Sequence, residues 1–390
     1  MFRRAINFRI PNAVIQFRTL LCFSNEKGPV RNHDNSLSKR TFQTQASSYL
    51  LEDISPDDPV VNDLFNGLTE GKRASLARSI TLVESTNPHK KAQGQMLLTK
   101  VLKRPRTNPD LKNTFRIGLS GPPGAGKSTF IERFGKFLTS QGQKVAVLAV
   151  DPSSSTTGGS LLGDKTRMPE LSCDMNAYIR PSPTSGNLGG VARSTNEAIV
   201  LCEGAGYNYI LVETVGVGQS EYAVADMVDM FCLLIPPAGG DELQGIKKGI
   251  VEMADVIVIN KSDGDLMPAA RRIQTEYSSA LRLLRLRSKT WRPKVTRISS
   301  KTGDGITQLW DIMEDYLEVM TTSGELVHKR EKQRTIWMWN QIKDNILHLF
   351  QQHPAVRAKY SSLEEKVLSG VITPGFAADV LLKEFSRVES

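Results

Sequence analysis

The stretch Gly121, Pro122, Pro123, Gly124, Ala125, Gly126, Lys127, Ser128 constrains this chain more than any other, because it fits G-x-x-x-x-G-K-[ST] without a mismatch. It follows the short apolar run Phe115–Leu119 and, with Thr129, opens an amphipathic segment. A strand, a glycine-rich turn and a helix start are the context in which backbone N–H groups converge on a polyphosphate. Lys127 would reach the β- and γ-phosphates as a point charge, and the Ser128 hydroxyl would be a Mg²⁺ ligand.

Further apolar runs stand at 145–150, 209–212, 230–235, 256–259 and 295–298, separated by segments long enough for crossover helices. Continuous rather than alternating runs imply strands covered on both faces. The expected fold class is therefore α/β, a mostly parallel sheet with helices on each side. Ligand should sit beyond the carboxyl ends of such strands.

The candidate chemistry falls at those ends. The second run stops at Asp151, and Asp164 follows in a Gly/Ser/Thr-rich stretch. Two acids there could hold Mg²⁺ directly or through water; Asp151 could equally open an Asx or Pro turn. The run at 209–212 leads to Glu213, Gly216 and Gln219. An acid three residues before a glycine suits a second Mg²⁺ contact and a backbone N–H for a γ-phosphate, and Gln219 is a candidate for orienting water. Lys247 or Lys248 could supply an activating cation, or simply be solvated.

The base is named by Asn260, Lys261, Ser262 and Asp263 at the end of the run 256–259. A carboxylate there can accept both the N1–H and the 2-amino hydrogens of guanine, whereas adenine offers neither and would leave the charge unpaired. Ser299, Ser300 and Lys301, one strand later, could touch the guanine oxygen.

Composition matters mainly through its distribution. The net charge of +9 suggests nucleic acid until it is located: residues 1–50 hold eight Lys/Arg against two acids, which leaves only +3 for the rest. Nucleic-acid binding thereby loses its main support. The leader instead interleaves Arg3, Arg4, Arg9 and Arg18 with apolar residues and has no acid before Glu26. That is the composition of a mitochondrial transit peptide, expected over residues 1–48; a disordered basic tail is the alternative. No run reaches the ~18 apolar residues that a membrane span requires. Cys22, Cys173, Cys202 and Cys232 show no metal or disulfide spacing.

Residues 49–110 read as two or three helices, with apolar positions from Val60 to Val101 near the 3.6 period. Residues 323–390 read as helices rich in apolar residues, broken at Pro354.

The blocks GPPGAGKST, DPSSS, GGSLLGDKTRM, ETVGVGQSE and NKSDGDL, in this order and spacing, resemble the MeaB/ArgK-type GTPases over about residues 55–390. The resemblance implies a P-loop GTPase domain at 111–322 and a helical dimerisation arm at 323–390. Without it, packing of the helical end on its own domain is the plainer reading. It also implies a homodimer in the mitochondrial matrix that uses GTP/GDP and Mg²⁺. Its client would be methylmalonyl-CoA mutase: the GTPase would gate delivery of adenosylcobalamin, the client's cofactor, and protect the enzyme from inactivation. By the same resemblance Ser128, Asp164 and Glu213 lie at the Mg²⁺ site, Asp263 reads guanine, Ser299 to Lys301 flank the base, and the loop around Gln244 and Lys247 moves. Two other classes share the phosphate loop. A metal-inserting GTPase would want His- or Cys-rich tracts, whereas the five histidines here are scattered; a small-molecule kinase would not need N-K-x-D.

Overall fold

Among the residues that the computed structural model describes, 54–104, 114–150, 167–182, 188–214, 220–237, 248–284 and 286–387, three helices precede the first strand. They are α1 (Pro59–Thr69), α2 (Arg73–Val83) and α3 (Pro88–Lys103). Asp58 and Asn87 cap α1 and α3 by accepting the backbone N–H of Val61 and Lys90, and each cap is followed by a proline that needs no N–H of its own.

Strands and helices then alternate: β1 (Phe115–Ser120), α4 (Lys127–Ser140), β2 (Val145–Val150), α5 (Pro169–Cys173), β3 (Ala177–Ser182), α6 (Leu188–Gly204), β4 (Tyr209–Thr214), α7 (Ser220–Ala225) and β5 (Met230–Ile235). After these come α8 (Lys248–Met253), β6 (Val256–Ile259), a short 3₁₀ turn at Gly264–Leu266, α9 (Met267–Leu281), β7 (Lys294–Arg297) and α10 (Ile306–Thr322). The seven strands among the described residues pair in the order β3-β2-β4-β1-β5-β6-β7, every pair parallel. Along β5, Phe231, Leu233 and Ile235 join the apolar layer that holds α1–α3 and α6, while Met230, Cys232 and Leu234 join the layer that holds α4 and α10. Burial on both faces is why the strands read as unbroken apolar runs.

One strand departs from the expectation. β3 escapes the apolar-run criterion because Arg180 and Pro181 interrupt it, and it can carry them because, among the described residues, it lies at the sheet edge and pairs with β2 alone. Arg180 pairs with Glu84, just past α2, so the helical extension covers that edge.

The carboxyl-terminal region is α11 (Glu325–Gln352), α12 (Pro354–Leu368) and α13 (Pro374–Ser386). The first part of α11 packs on the body of the same chain. Asp229, fully buried just before β5, accepts the Arg330 guanidinium at 2.8 and 2.6 Å and the backbone N–H of Arg116 at 2.9 Å. Its carbonyl oxygen accepts from Tyr316 and Lys329. One helical turn on, Gln333 donates to Val228 O at 2.8 Å, and Trp337 donates to Asp226 O at 3.1 Å. Beyond that point Met338, Trp339, Ile342, Ile346 and Leu347 are exposed. The near half of α11 thus docks on its own domain, as the plainer reading expects, and the far half presents an apolar surface.

Removing one side of a buried ion pair leaves a desolvated charge, at a cost of about 3–5 kcal/mol. Asp229→Ala should therefore lower the thermal unfolding midpoint strongly, whereas truncation of the exposed Arg272–Glu276 pair, worth about 0.3–0.5 kcal/mol, should not move it measurably. Equal shifts for the two would contradict this account of how α11 is held.

Candidate functional site

The crevice at the carboxyl ends of β1, β4, β6 and β7 gathers the described site residues. The turn between β1 and α4 depends on glycine at two places. Gly121 has φ +153°, and a Cβ there would stand 2.2 Å from Leu234 O; Gly126 has φ +87°, and a Cβ there would stand 2.6 Å from Asn260 Nδ2. Any other side chain would push the turn off the neighbouring strand ends. Pro122, Pro123 and Gly124 form the outer rim of the turn, with Pro123 and Gly124 exposed, while Ala125 is buried beneath it. Lys127 and Ser128 begin α4, followed by Thr129. The first N–H groups of a helix have no partner within it, which makes this helix start a ready anion site.

Lys127 bends back over the turn, donating to Gly121 O at 2.7 Å and to Pro122 O at 3.3 Å. Burial pushes its pKa down, against the opposing pull of the Glu213 and Glu221 carboxylates. An ammonium held under a glycine turn, at a cost in solvation, fits a polyphosphate well, because the ligand would provide the counter-charge. Glu213 is buried near the end of β4, where Thr214 donates to Ser120 Oγ at 3.3 Å on the adjoining strand. Of the residues expected to hold a divalent cation, Ser128 and Glu213 lie among the described residues. Asp151 and Asp164, the other acids expected there, lie outside the described residues, as do Gln219 and Lys247.

Asn260 joins the two halves of the crevice. Its Nδ2 donates to Ala125 O at 2.9 Å and its Oδ1 accepts the Ser300 N–H at 3.1 Å and the Ser300 hydroxyl at 2.8 Å. The next residue, Lys261, has φ +57°, the one positive φ among the described non-glycine residues. Such strain persists where the surroundings over-determine the backbone, often at ligand clamps. Asp263 is half-buried, and its Oδ1 accepts the Ser299 hydroxyl at 2.7 Å, leaving the carboxylate directed by a buried partner. Lys301 is exposed at the lip of the same loop. The structure therefore brings the glycine turn into one crevice with Asp263 and residues 299–301, which follow it by more than a hundred residues of sequence.

Glu221 was not anticipated. It is buried in the first turn of α7 and contributes to the field around Lys127. An acid two residues after Gln219 at a helix start was the available signal.

Comparison with known proteins agrees with this geometry. The family profile described as "Methylmalonyl Co-A mutase-associated GTPase MeaB" matches residues 76–355. The chain is 65% identical over 330 residues to the mouse mitochondrial methylmalonic aciduria type A homolog, covering 83% of this chain and 79% of the relative. It is 48% identical over 284 residues to the GTPase ArgK of Escherichia coli K12, covering 73% and 84% respectively. A crystal structure of a LAO/AO transport system kinase superposes with a TM-score of 0.66 at 35% identity, covering 86% of this chain and all of that one. With the whole glycine turn, the base loop and most of the sheet inside the matched span, this chain belongs to the MeaB family of P-loop GTPases.

Proposed function

We propose that the crevice binds Mg²⁺·GTP, hydrolyses it, and uses the nucleotide state to gate delivery of adenosylcobalamin to methylmalonyl-CoA mutase and to protect that enzyme. The observation that carries the nucleotide part is Asn260, whose side chain ties the glycine turn to the loop carrying Ser300 beside Asp263. In this reading the backbone from Gly121 to Ser128 cradles the phosphates, and Lys127 leaves the Gly121 and Pro122 carbonyls to pair with the β- and γ-oxygens. Asp263 accepts the N1–H and 2-amino hydrogens of guanine, with Ser299, Ser300 and Lys301 closing around the base and Asn260 and Lys261 setting its height. Ser128 and Glu213, with Asp164 by resemblance and Asp151 by its place at a strand end, would hold Mg²⁺, which when bound would neutralise charge on the β- and γ-phosphates. Gln219 and Lys247 are proposed to orient water and to supply a cation.

The client is supported by the description of the family, mutase-associated GTPase, and by the name of the mouse relative. That same name, together with the Arg-rich leader, supports a mitochondrial and, by extension, matrix location. The exposed apolar far half of α11 supports a homodimer through the helical arm, readable by light scattering as two chains per particle. Among the described residues no helix is long and apolar enough to cross a membrane.

Capture of methylmalonyl-CoA mutase on the immobilised GTPase tests the proposal, with a non-hydrolysable GTP analogue, with GDP and without nucleotide. Retention that depends on the nucleotide, together with faster multiple-turnover phosphate release when mutase is present, is the expected result. Retention indifferent to nucleotide, or none, would remove the mutase-gating function.

A further inference from the structure

The hydrogen bonds around the base loop continue past Asp263 to a residue that no motif marks. Arg133 stands on α4, the helix that starts at the glycine turn. Its Nε donates to Ser300 O at 3.3 Å and its Nη2 to Lys301 O at 2.7 Å. The same side chain passes 4.0 Å from the place a Cβ would take on Gly303, where the loop turns with φ +91°. Arg133 thus grips two successive carbonyls from the helix that presents Lys127 and Ser128 to the phosphates.

The consequence follows from peptide geometry. In a planar trans peptide the N–H points opposite to the C=O. With the Lys301 carbonyl turned toward Arg133, the N–H of Thr302 points the other way, and it donates to Ser299 Oγ at 3.1 Å. That hydroxyl can then give its own proton only elsewhere, and it gives it to Asp263 Oδ1 at 2.7 Å. An unbroken path runs from guanidinium to carbonyl, from N–H to hydroxyl, and from hydroxyl to carboxylate. Each bond polarises the next in the same sense, which strengthens the set.

We propose that Arg133 is a positioning residue for purine selection: through the Lys301–Thr302 peptide and Ser299 it fixes the direction in which Asp263 presents its oxygens. The inference rests on Asp263 being the partner of guanine. Its signature is specific to the base. Guanine needs the carboxylate aligned with both N1–H and the 2-amino group; hypoxanthine offers N1–H alone and tolerates misalignment. The phosphate contacts are common to GDP and IDP and cancel in the ratio of their affinities.

The test is calorimetric titration of the full chain, as parent, Arg133→Ala and Arg133→Lys, with GDP and with IDP in Mg²⁺ buffer, alongside thermal unfolding. Arg133 is exposed, so its truncation should leave the fold intact. GDP affinity should fall about five- to tenfold in Arg133→Ala, the size of one ordinary hydrogen bond because the effect is passed on through Ser299, while IDP affinity falls about twofold or less. Arg133→Lys should recover part of the ratio, because an ammonium still reaches one of the carbonyls. Equal losses for both nucleotides, or no loss, in a parent that prefers GDP would overturn the positioning role alone. A parent that binds GDP and IDP alike would instead overturn the reading of Asp263 and take this inference with it.

Discussion

Lys127→Ala should fold normally and lose both tight GTP binding and turnover. The ammonium donates to the Gly121 and Pro122 carbonyls, yet burial holds its pKa down, so the folded chain carries it at a cost in solvation. Removing it should therefore leave the unfolding midpoint unchanged or slightly raised. The nucleotide loses more. Truncating one partner of a buried charge pair costs on the order of 10²–10³ in affinity, and loss of a donor aimed at developing negative charge costs a further ~10²–10³ in rate. The second-order rate for GTP should fall by ~10⁴ or more, read as phosphate release at low substrate. A variant within threefold of the parent would exclude Lys127 from the phosphate site.

Asp263→Asn should exchange one purine for another. Guanine presents two donors, N1–H and the 2-amino group, to a carboxylate that Ser299 already orients through a 2.7 Å bond. The amide keeps one acceptor and places an NH₂ against a donor, so the match is broken and a buried polar group is left unsatisfied. Sites that depend on such bonds discriminate by ~10⁴, and most of that margin should vanish. Xanthine carries a carbonyl at position 2 that the amide can donate to, so the variant should prefer XDP over GDP in competition binding. A variant that keeps the parent's preference for GDP would show that some other group reads the base.

Much of this site was legible in the sequence because the chemistry is carried by short, contiguous blocks at strand ends. Lys127, Glu213 and Asp263 each end or follow an apolar run, and the parallel sheet brings such ends together. The partners of these residues were not legible. Asn260 has the right residue type in its motif, but that its amide spans from Ala125 O to the Ser300 hydroxyl depends on β1, β5 and β6 lying side by side. Arg133 carried no signal, because an arginine on the exposed face of an amphipathic helix reads as solvated. The partner that anchors α11 was not legible either. Arg116 interrupts a strand whose neighbours are all buried, which requires a partner; the structure provides Glu203 at 2.7 Å, while the adjacent Asp229 takes Arg330. The edge strand β3 was missed for the opposite reason, since its polar residues are permitted only because one side of it is unpaired.

The central claim is that a single crevice grips the phosphates through Lys127 and Ser128 and chooses the purine through Asp263. Isothermal titration of the purified protein with GDP and with ADP, in the same Mg²⁺ buffer, tests it most directly. The account predicts one GDP per chain and ADP weaker by ~10³-fold or more; equal affinity for the two, or binding of neither, would contradict it.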